Sequence, residues 1–553
     1  MQSLNPIFDI QEYSPNTLAS LLYKTQKQSW EGASEQDGHF KYFKDFYFNE
    51  KLGLNPKFIV VENDYIEKDY VRDYLSYYAD FFQPPSPKCI RLHFFASNNE
   101  NSQTIENFNE DFCEALLYQE APKQFWEQQY LGFITIRPIP VFNIGFTLLK
   151  HYNSIELLRS KERFFWGIGD YKVHIFGKEI KISSVPFQEQ DANLAACATI
   201  SIWTVLQVAH KNYGIAAKPS GEITHNADTT AFNGNRLIPN DGLNIVQICK
   251  SLVREGLVTE VKEVSNLEEG KSYIFDWHYF KKLVNAYATL KIPIILVMNV
   301  PDNGYDNNGH AVAIVGHNEA LFSEEVWASQ RLEDDSITWC ANQINKIYVH
   351  DDAWGCFARM SFLDKKEAGL ESLWGYYGRQ DDKDLPCQPF LLIVPILSQV
   401  RISYDIIEEI VYFFDAMFDL LGLKESNIRW NIQLFSNEDY KAKFNRIATK
   451  FSPIEGNLRE FQNFQLDFLN TSLPAFIWVA TCFVRGQEGI VLIFDATGMK
   501  YSMLGIKILC FDNNFRDSLK LSLTDKNYET IKSRMIAYNM YREDYVLFFK
   551  NNI

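Results

Sequence analysis

Nine cysteines are scattered along the chain, and a thiol becomes chemically interesting only where it can ionise. The thiolate is the attacking species, so its surroundings must lower its pKa, through a helix N-terminus or an imidazole partner. Cys197 meets the first condition. From Leu194 onward, Leu194, Cys197, Ala198, Ile202 and Leu206 recur at three- and four-residue steps, the spacing of an amphipathic helix. Asp191 and Asn193 are candidate N-caps and Gly214 is a natural stop. Cys197 then sits in the first turns, near the positive end of the helix dipole. Cys249 falls mid-helix on an apolar face, and Cys482 and Cys510 fall in apolar strand-like runs. A cysteine in an apolar helix is ordinarily core filler; the residues that follow Cys197 set it apart.

His310 comes directly after the Gly/Asn/Asp loop PDNGYDNNG and opens the apolar run HAVAIVGH. An imidazole at a strand mouth has an aqueous side and a rigid support, which suits a general base. His317 ends the same run and reads as structural. Asp351 and Asp352 end the next strand, KIYVHDD, beside His350. Either carboxylate there can accept the imidazole N–H and fix its tautomer. His310, His350 and the two acids would also be a metal set on composition, but no HxxxH or HExxH spacing supports one. No metal and no cofactor is expected. Gln188 and Gln190 precede Cys197 by nine and seven residues, and a side-chain amide from either could share an oxyanion hole with the Cys197 backbone N–H.

The elements that must position these groups are legible. YKVHIFGKEIKIS reads as a hairpin turning at Phe176-Gly177-Lys178. A helix in LNIVQICKSLVREGL follows the turn Asn240-Asp241-Gly242, and strands follow in IPIILVMNV, HAVAIVGH, KIYVHDD and FLLIVPIL. Residues 1–165 carry strands such as Phe58–Val61, Ile90–Phe95 and the stretch Tyr130–Gly145 among aromatic-rich helical segments, an α/β region. Residues 399–553 hold an apolar helix, YDIIEEIVYFFDAMFDLLGL, the strand IRWNIQLF and the hairpin AFIWVATCFV–RGQEG–IVLIFDATG, a second α/β region. A middle segment, 166–398, carries the chemistry.

That middle segment resembles the papain-like cysteine peptidase superfamily. The likeness lies in the order Cys, His, acid, and in the settings: a Cys at a helix start after a Gln, Gly-His-Ala-Val opening a strand, and an acid ending the next strand before a Gly. Asp352-Ala353-Trp354-Gly355 looks like the Asn-Ser-Trp-Gly stretch of papain itself, with Asp for Asn. The run Gly-His-Ala-Val-Ala-Ile-Val-Gly is similar to the bacterial branch that cleaves bacteriocin leader peptides. The resemblance covers roughly residues 170–395, under half of the chain. It implies an α+β fold, with a helix-borne Cys packed on an antiparallel sheet carrying His and Asp. It implies Cys197 as nucleophile, His310 as base and acid, Asp351 or Asp352 as orienter and Gln190 as oxyanion donor. Counting back from Gly355 as in papain selects Asp352; the leader-peptidase pattern selects Asp351. The sequence departs from the pattern at Asp191, where the family places its Gln six residues before the Cys, and at Ala198, where Gly is common.

Composition bounds the rest. The 553 residues are 46% apolar and 22% charged, with 43 Phe, 29 Tyr and 11 Trp, the profile of a folded chain with large cores. A net charge of −16 without a Lys/Arg-rich run argues against a nucleic-acid partner, whose phosphates need a basic face. The first residues, MQSLNPIFDIQEYSPN, have neither a basic n-region nor an apolar h-region, and apolar runs such as Phe390–Leu397 are too short to span a bilayer. Nine cysteines, odd in number and without a CxxC pair, suit a reducing cytoplasm. The expected function is hydrolysis of a peptide or isopeptide bond in a peptide or protein substrate. The alternatives are a catalytically degenerate copy acting as a binding or regulatory protein, and a thiol-dependent acyltransferase or transpeptidase with the same triad.

Overall fold

The computed structural model describes the chain except for residues 1–7, 25–36, 52, 99–102, 119–124, 140–142, 153–154, 157–160, 192, 228–241, 267–272, 302–308, 321–336, 364–368, 378–385, 424–427, 449–457, 485, 500–502, 512, 524 and 538–541. The loop between Pro301 and Gly309 and most of the turn Asn240-Asp241-Gly242 therefore lie outside the described residues. The architecture is α+β, built on antiparallel sheets.

The first sheet runs in sequence order: β1 (Asp9–Glu12), β2 (Phe58–Tyr65), β3 (Cys89–Phe95), β4 (Tyr130–Ile136) and β5 (Leu148–Leu149). Helices Lys68–Ser76 and Ile105–Leu117 lie between its strands in sequence, yet every neighbouring pair is antiparallel. The expected α/β region is thus corrected to α+β. A parallel crossover must carry the chain back to the end where the previous strand began; each helical connection here re-enters at the end where that strand stopped.

The segments on either side of residue 165 are interleaved. Strands β6 (Ile155–Glu156) and β7 (Lys161–Phe165) belong to the central sheet. The hairpin β8 (Gly169–Ile175) and β9 (Lys178–Ser184) instead packs Val173, Ile175, Ile180 and Ile182 against Phe58, Phe95, Phe108 and Phe112 of the first sheet and its helix. Its two-residue turn, Phe176-Gly177, has φ of 45° and 89°, the left-handed pair that matches strand twist in a tight hairpin.

The nine-stranded central sheet adds β10 (Leu257–Glu263), then, after a short ribbon of β11 (Ser265–Asn266) and β12 (Ile274–Phe275), β13 (Ile294–Asn299), β14 (Gly309–Ala320), β15 (Lys346–Asp351), β16 (Gly355–Phe362), β17 (Leu370–Glu371) and β18 (Gln388–Leu397). Its order is β10-β18-β13-β14-β15-β16-β17, with β7 pairing β14 and β6. The Cys197–Tyr213 helix lies across β14. Ile202, Trp203, Val205, Leu206, Val208 and Ala209 are all buried, because the sheet covers one side and helices Ser220–Asn226 and Ile245–Arg254 another. A helix enclosed in this way reads as apolar nearly all round.

The last sheet, β19 (Ile428–Ser436), β20 (Phe476–Val484), β21 (Gln487–Asp495) and β22 (Gly505–Cys510), is an antiparallel meander. It corrects the second expected α/β region for the same reason. Helix Tyr404–Leu420 buries Ile407, Ile410, Phe414, Met417 and Phe418, and one hydrophobic cluster runs from the N-terminal helices through the central sheet to Phe549. All nine cysteines are free thiols. No helix among the described residues is long and apolar enough to cross a membrane.

The N-terminal segment is seated on the turn that follows β15. Tyr42 donates its hydroxyl to the Cys356 carbonyl at 2.9 Å and shares a 2.9 Å hydrogen bond with the Tyr152 hydroxyl. Gly355 has φ +147°, and a Cβ there would stand 2.7 Å from the Tyr42 ring. Gly355→Ala is expected to cost about 2–4 kcal/mol, from backbone strain plus overlap, read as a lowered urea midpoint with an unchanged m-value.

Candidate active site

The helix that carries Cys197 begins at Cys197 itself. Its N-cap is Ala196, at φ −102° and ψ 178°, with no side-chain cap. Of the two expected caps, Asp191 acts one turn earlier, and the Asn193 amide instead donates to the Asp191 carbonyl at 3.3 Å. Asp191 Oδ1 accepts the backbone N–H groups of Asn193 (3.0 Å), Leu194 (2.7 Å) and Ala195 (2.9 Å), and Oδ2 accepts the Tyr78 hydroxyl (2.8 Å). The carboxylate thus folds the turn that delivers Cys197 and leaves the helix end uncapped. The first N–H groups of a helix have no intrahelical acceptor, so an anion at Cys197 meets them and the dipole together. At the other end Gly214, at φ 72°, stops the helix as its sequence suggested.

A side chain the sequence reading passed over ties this helix to the sheet. The Ser201 hydroxyl lies 3.1 Å from the Cys197 carbonyl oxygen and 3.0 Å from that of Ala311, the residue after His310. One serine thereby fixes the thiol-bearing turn against the imidazole-bearing strand. Its only trace in the sequence is a hydroxyl one turn after Cys197, in a helix that also carries the Thr199 and Thr204 hydroxyls.

His310 sits near the start of β14, opposite Met298 of β13, and is 8% exposed. Its Nε2–H donates to Asp351 Oδ1 at 3.0 Å. Cys197 stands beside His310 and helps raise the imidazole pKa; with Nε2 turned to Asp351, Nδ1 is the nitrogen left for the thiol. Asp351 also accepts the Ala353 backbone N–H on Oδ1 (3.0 Å) and the Trp374 indole N–H on Oδ2 (2.9 Å). Trp374 stands edge-on to the His310 ring at 5.0 Å and perpendicular to Trp354 at 5.7 Å. The pair is thus shielded by indoles on the Asp351 side, while Cys197 stays half-buried. Nothing in the sequence pointed to Trp374.

The electrostatics follow from this packing. Burial opposes charge on His310, but Asp351, helped by the adjacent Cys197, outweighs it and holds the imidazole pKa well above its ordinary value. Burial likewise opposes the Asp351 anion, but His310, the Ala353 N–H and the Trp374 N–H outweigh it and keep the carboxyl below the usual range. Asp352 is different. Burial and the neighbouring Asp351 push it up, against the pull of His310 and His39, to about 6.

Of the two acids left open by sequence, Asp351 is the one at hydrogen-bonding distance; Asp352 Oδ1 is 3.7 Å from the same nitrogen. His350 takes no part. It is wedged between Phe187 and Phe357, and burial drives its pKa to about 3. The nearest atoms of His310, Asp351 and Asp352 lie within 4.8 Å of one another, but the Asp351 oxygens already accept three N–H donors. His310 and Asp351 form a hydrogen-bonded pair with Asp352 beside it, and no ligand set is assigned. The Gln188 amide donates to Ser220 Oγ at 2.5 Å. Gln190 accepts Arg137 through its backbone carbonyl and, among the described residues, makes no side-chain hydrogen bond. His317 is buried at the far end of β14, 3.1 Å from Glu319 and stacked on Phe164, beside a cavity of about 520 Å³ that includes no member of the relay.

No protein-family model and no curated protein matches the chain.

The displaced pKa of Asp352 fixes a pH-dependent cost. Unfolded, the carboxyl ionises near its ordinary 3.8; folded, near about 6. Between those values the native state binds more protons, so this group makes stability fall as pH rises, and the full cost is present above pH 6. Asp352→Asn is therefore expected to stabilise the protein by about 1–3 kcal/mol at pH 7.5 and by nothing measurable at pH 4, in paired urea titrations.

Proposed function

We propose that the chain is a thiol hydrolase with a papain-like core, cleaving a peptide or isopeptide bond. The observation that carries this reading is the hydrogen-bonded series His310, Asp351, Trp374 with Cys197 beside His310, the thiol being at the first residue of an uncapped helix. Proton transfer from Cys197 to His310 Nδ1 gives a thiolate–imidazolium pair, favoured by Asp351 on one side and the helix dipole on the other. The thiolate sulfur attacks the carbonyl carbon, and the oxyanion is received by the Cys197 backbone N–H, with Gln190 as the side-chain donor of choice because Gln188 is committed to Ser220. His310 gives its proton to the leaving nitrogen as the C–N bond breaks. Water, losing a proton to His310, then attacks the thioester carbonyl and releases the acid and the thiol. An amine in place of water would make the same site an acyltransferase.

The nine free thiols support a cytoplasmic setting. The acidic charge of −16 supports a peptide or protein substrate over nucleic acid. One observation favours a second reading, a binding protein that retains the fold without turnover: the position six residues before Cys197 is a carboxylate engaged by the preceding turn and by the Tyr78 hydroxyl, so it offers no donor to an oxyanion.

A thiol-directed peptide electrophile separates the two. At pH 6.5 it is expected to label Cys197 at least about ten times faster than Cys249 or Cys482, and His310→Ala is expected to slow that labelling by about 10²-fold or more. Equal labelling of the three cysteines would overturn the nucleophile assignment; fast labelling without turnover of any peptide or isopeptide substrate would favour the binding protein.

A further inference from the structure

The relay leaves one buried group over. Asp352 Oδ1 lies 3.7 Å from His310 Nε2, whose N–H is already turned to Asp351. Both Asp352 carboxylate oxygens are buried and have no hydrogen-bond partner. A carboxylate in that position has lost its water and must be met by a donor or a cation. His39 is the complementary half. Its ring is 3% exposed; Nδ1 lies 3.4 Å from Glu189 Oε1 and 3.6 Å from Asp37 Oδ1, and Nε2 is buried without a partner. The backbone beside it rests on the segment after Asp352: a Cβ on Gly38 would stand 2.6 Å from the Ala353 carbonyl oxygen and 3.1 Å from the Trp354 ring.

We propose that Asp352, backed by the His39 imidazolium, is a second positioning carboxylate for His310 and holds the proton on its ring while Cys197 is ionised. The inference rests on the reading of Cys197 and His310 as nucleophile and base. Asp351 fixes the direction of the Nε2–H. Asp352 adds a second negative charge on the same side of the ring, so the imidazolium faces two acids. Two carboxylates side by side repel, and His39 offsets that repulsion. Burial opposes charge on His39, but Glu189, Asp37 and Asp352 outweigh it and raise its pKa to about 9.

The charged groups that face Asp352 are His310 from β14, Asp351 from β15 and His39 from the N-terminal segment. Behind His39 stand Asp37, bonded to the Tyr23 hydroxyl, and Glu189, which accepts the Ile144 N–H and feels Arg137. Without His39, Asp352 takes up a proton and His310 loses its second acid. The N-terminal segment is therefore part of the thiol site.

The test is the pH dependence of iodoacetamide alkylation of Cys197 in the full chain, from pH 4 to 10, read by mass spectrometry with Cys249 as internal reference. The wild type is expected to show Cys197 ahead of Cys249 below pH 8, with a second rise where His310 loses its proton. In Asp352→Asn that second step moves down by about one pH unit, the size expected for one removed neighbouring charge. In His39→Gln it moves the same way by less, and this variant reads the step if Asp352→Asn does not fold. A second step unmoved in both variants overturns the inference and leaves the thiol site standing. No advantage of Cys197 over Cys249 at any pH in the wild type overturns the thiol-site reading, and the inference with it.

Discussion

The His310–Asp351 contact is the constraint on which the site depends. It joins two buried ionisable groups, each of which burial alone would discharge. Such a pair is stable only when its remaining hydrogen-bonding capacity is met, since desolvation otherwise exceeds the attraction. Here Ala353 and Trp374 meet it on the acid, and Cys197 stands beside the imidazole. The contact also demands one register between β14 and β15. Ala313 pairs with His350, with an irregularity between Ile314 and Gly316; a second, between Val349 and Asp351, lies in the pairing of β15 with β16. A slip of one residue would turn Asp351 to the face where His350 lies. The long apolar strands of the central sheet hold that register.

Around this contact the chain leaves some groups open and satisfies others. The Cys197 helix has no side-chain cap, while the preceding turn is bound at three N–H groups by Asp191. Ser201 stitches helix to strand. Asp352 is kept at a cost to stability, with a pKa near 6 inside a packed core. A functional group held at such a cost is offset by the packing around it. The hydrophobic cluster that runs from Leu18 to Phe549 is large enough to bear such local losses.

Much of this was legible in the sequence because it depends on local pattern. The helix over Cys197, the hairpin at Phe176-Gly177 and the strands bearing His310 and Asp351 all follow from residue periodicity and turn chemistry. What periodicity does not carry is strand direction. Helices between the strands of the first and last sheets suggested α/β regions, and the pairing is antiparallel throughout. Long-range partners were equally invisible. His39 and Asp352 are far apart in the chain, and Trp374 follows Asp351 by 23 residues; neither spacing has a signature. An Asp before a helix is ordinarily its N-cap; Asp191 instead closes an additional turn first.

The choice between the two acids shows why counting along a motif has limits. In a regular strand, consecutive side chains point to opposite faces, so only one of Asp351 and Asp352 should approach His310. Both do, at 3.0 and 3.7 Å, because β15 ends at Asp351 and the chain bends at once toward Trp354, whose N–H bonds back to the Asp351 carbonyl at 3.1 Å. That bend lets the second carboxylate lie beside the first. It also requires the left-handed Gly355, against which Tyr42 packs, and it brings the turn under the segment carrying His39. The doubling of acid and the docking of the N-terminal segment thus have one origin, the early end of β15, and a residue of the flanking region reaches the centre of the molecule because of it.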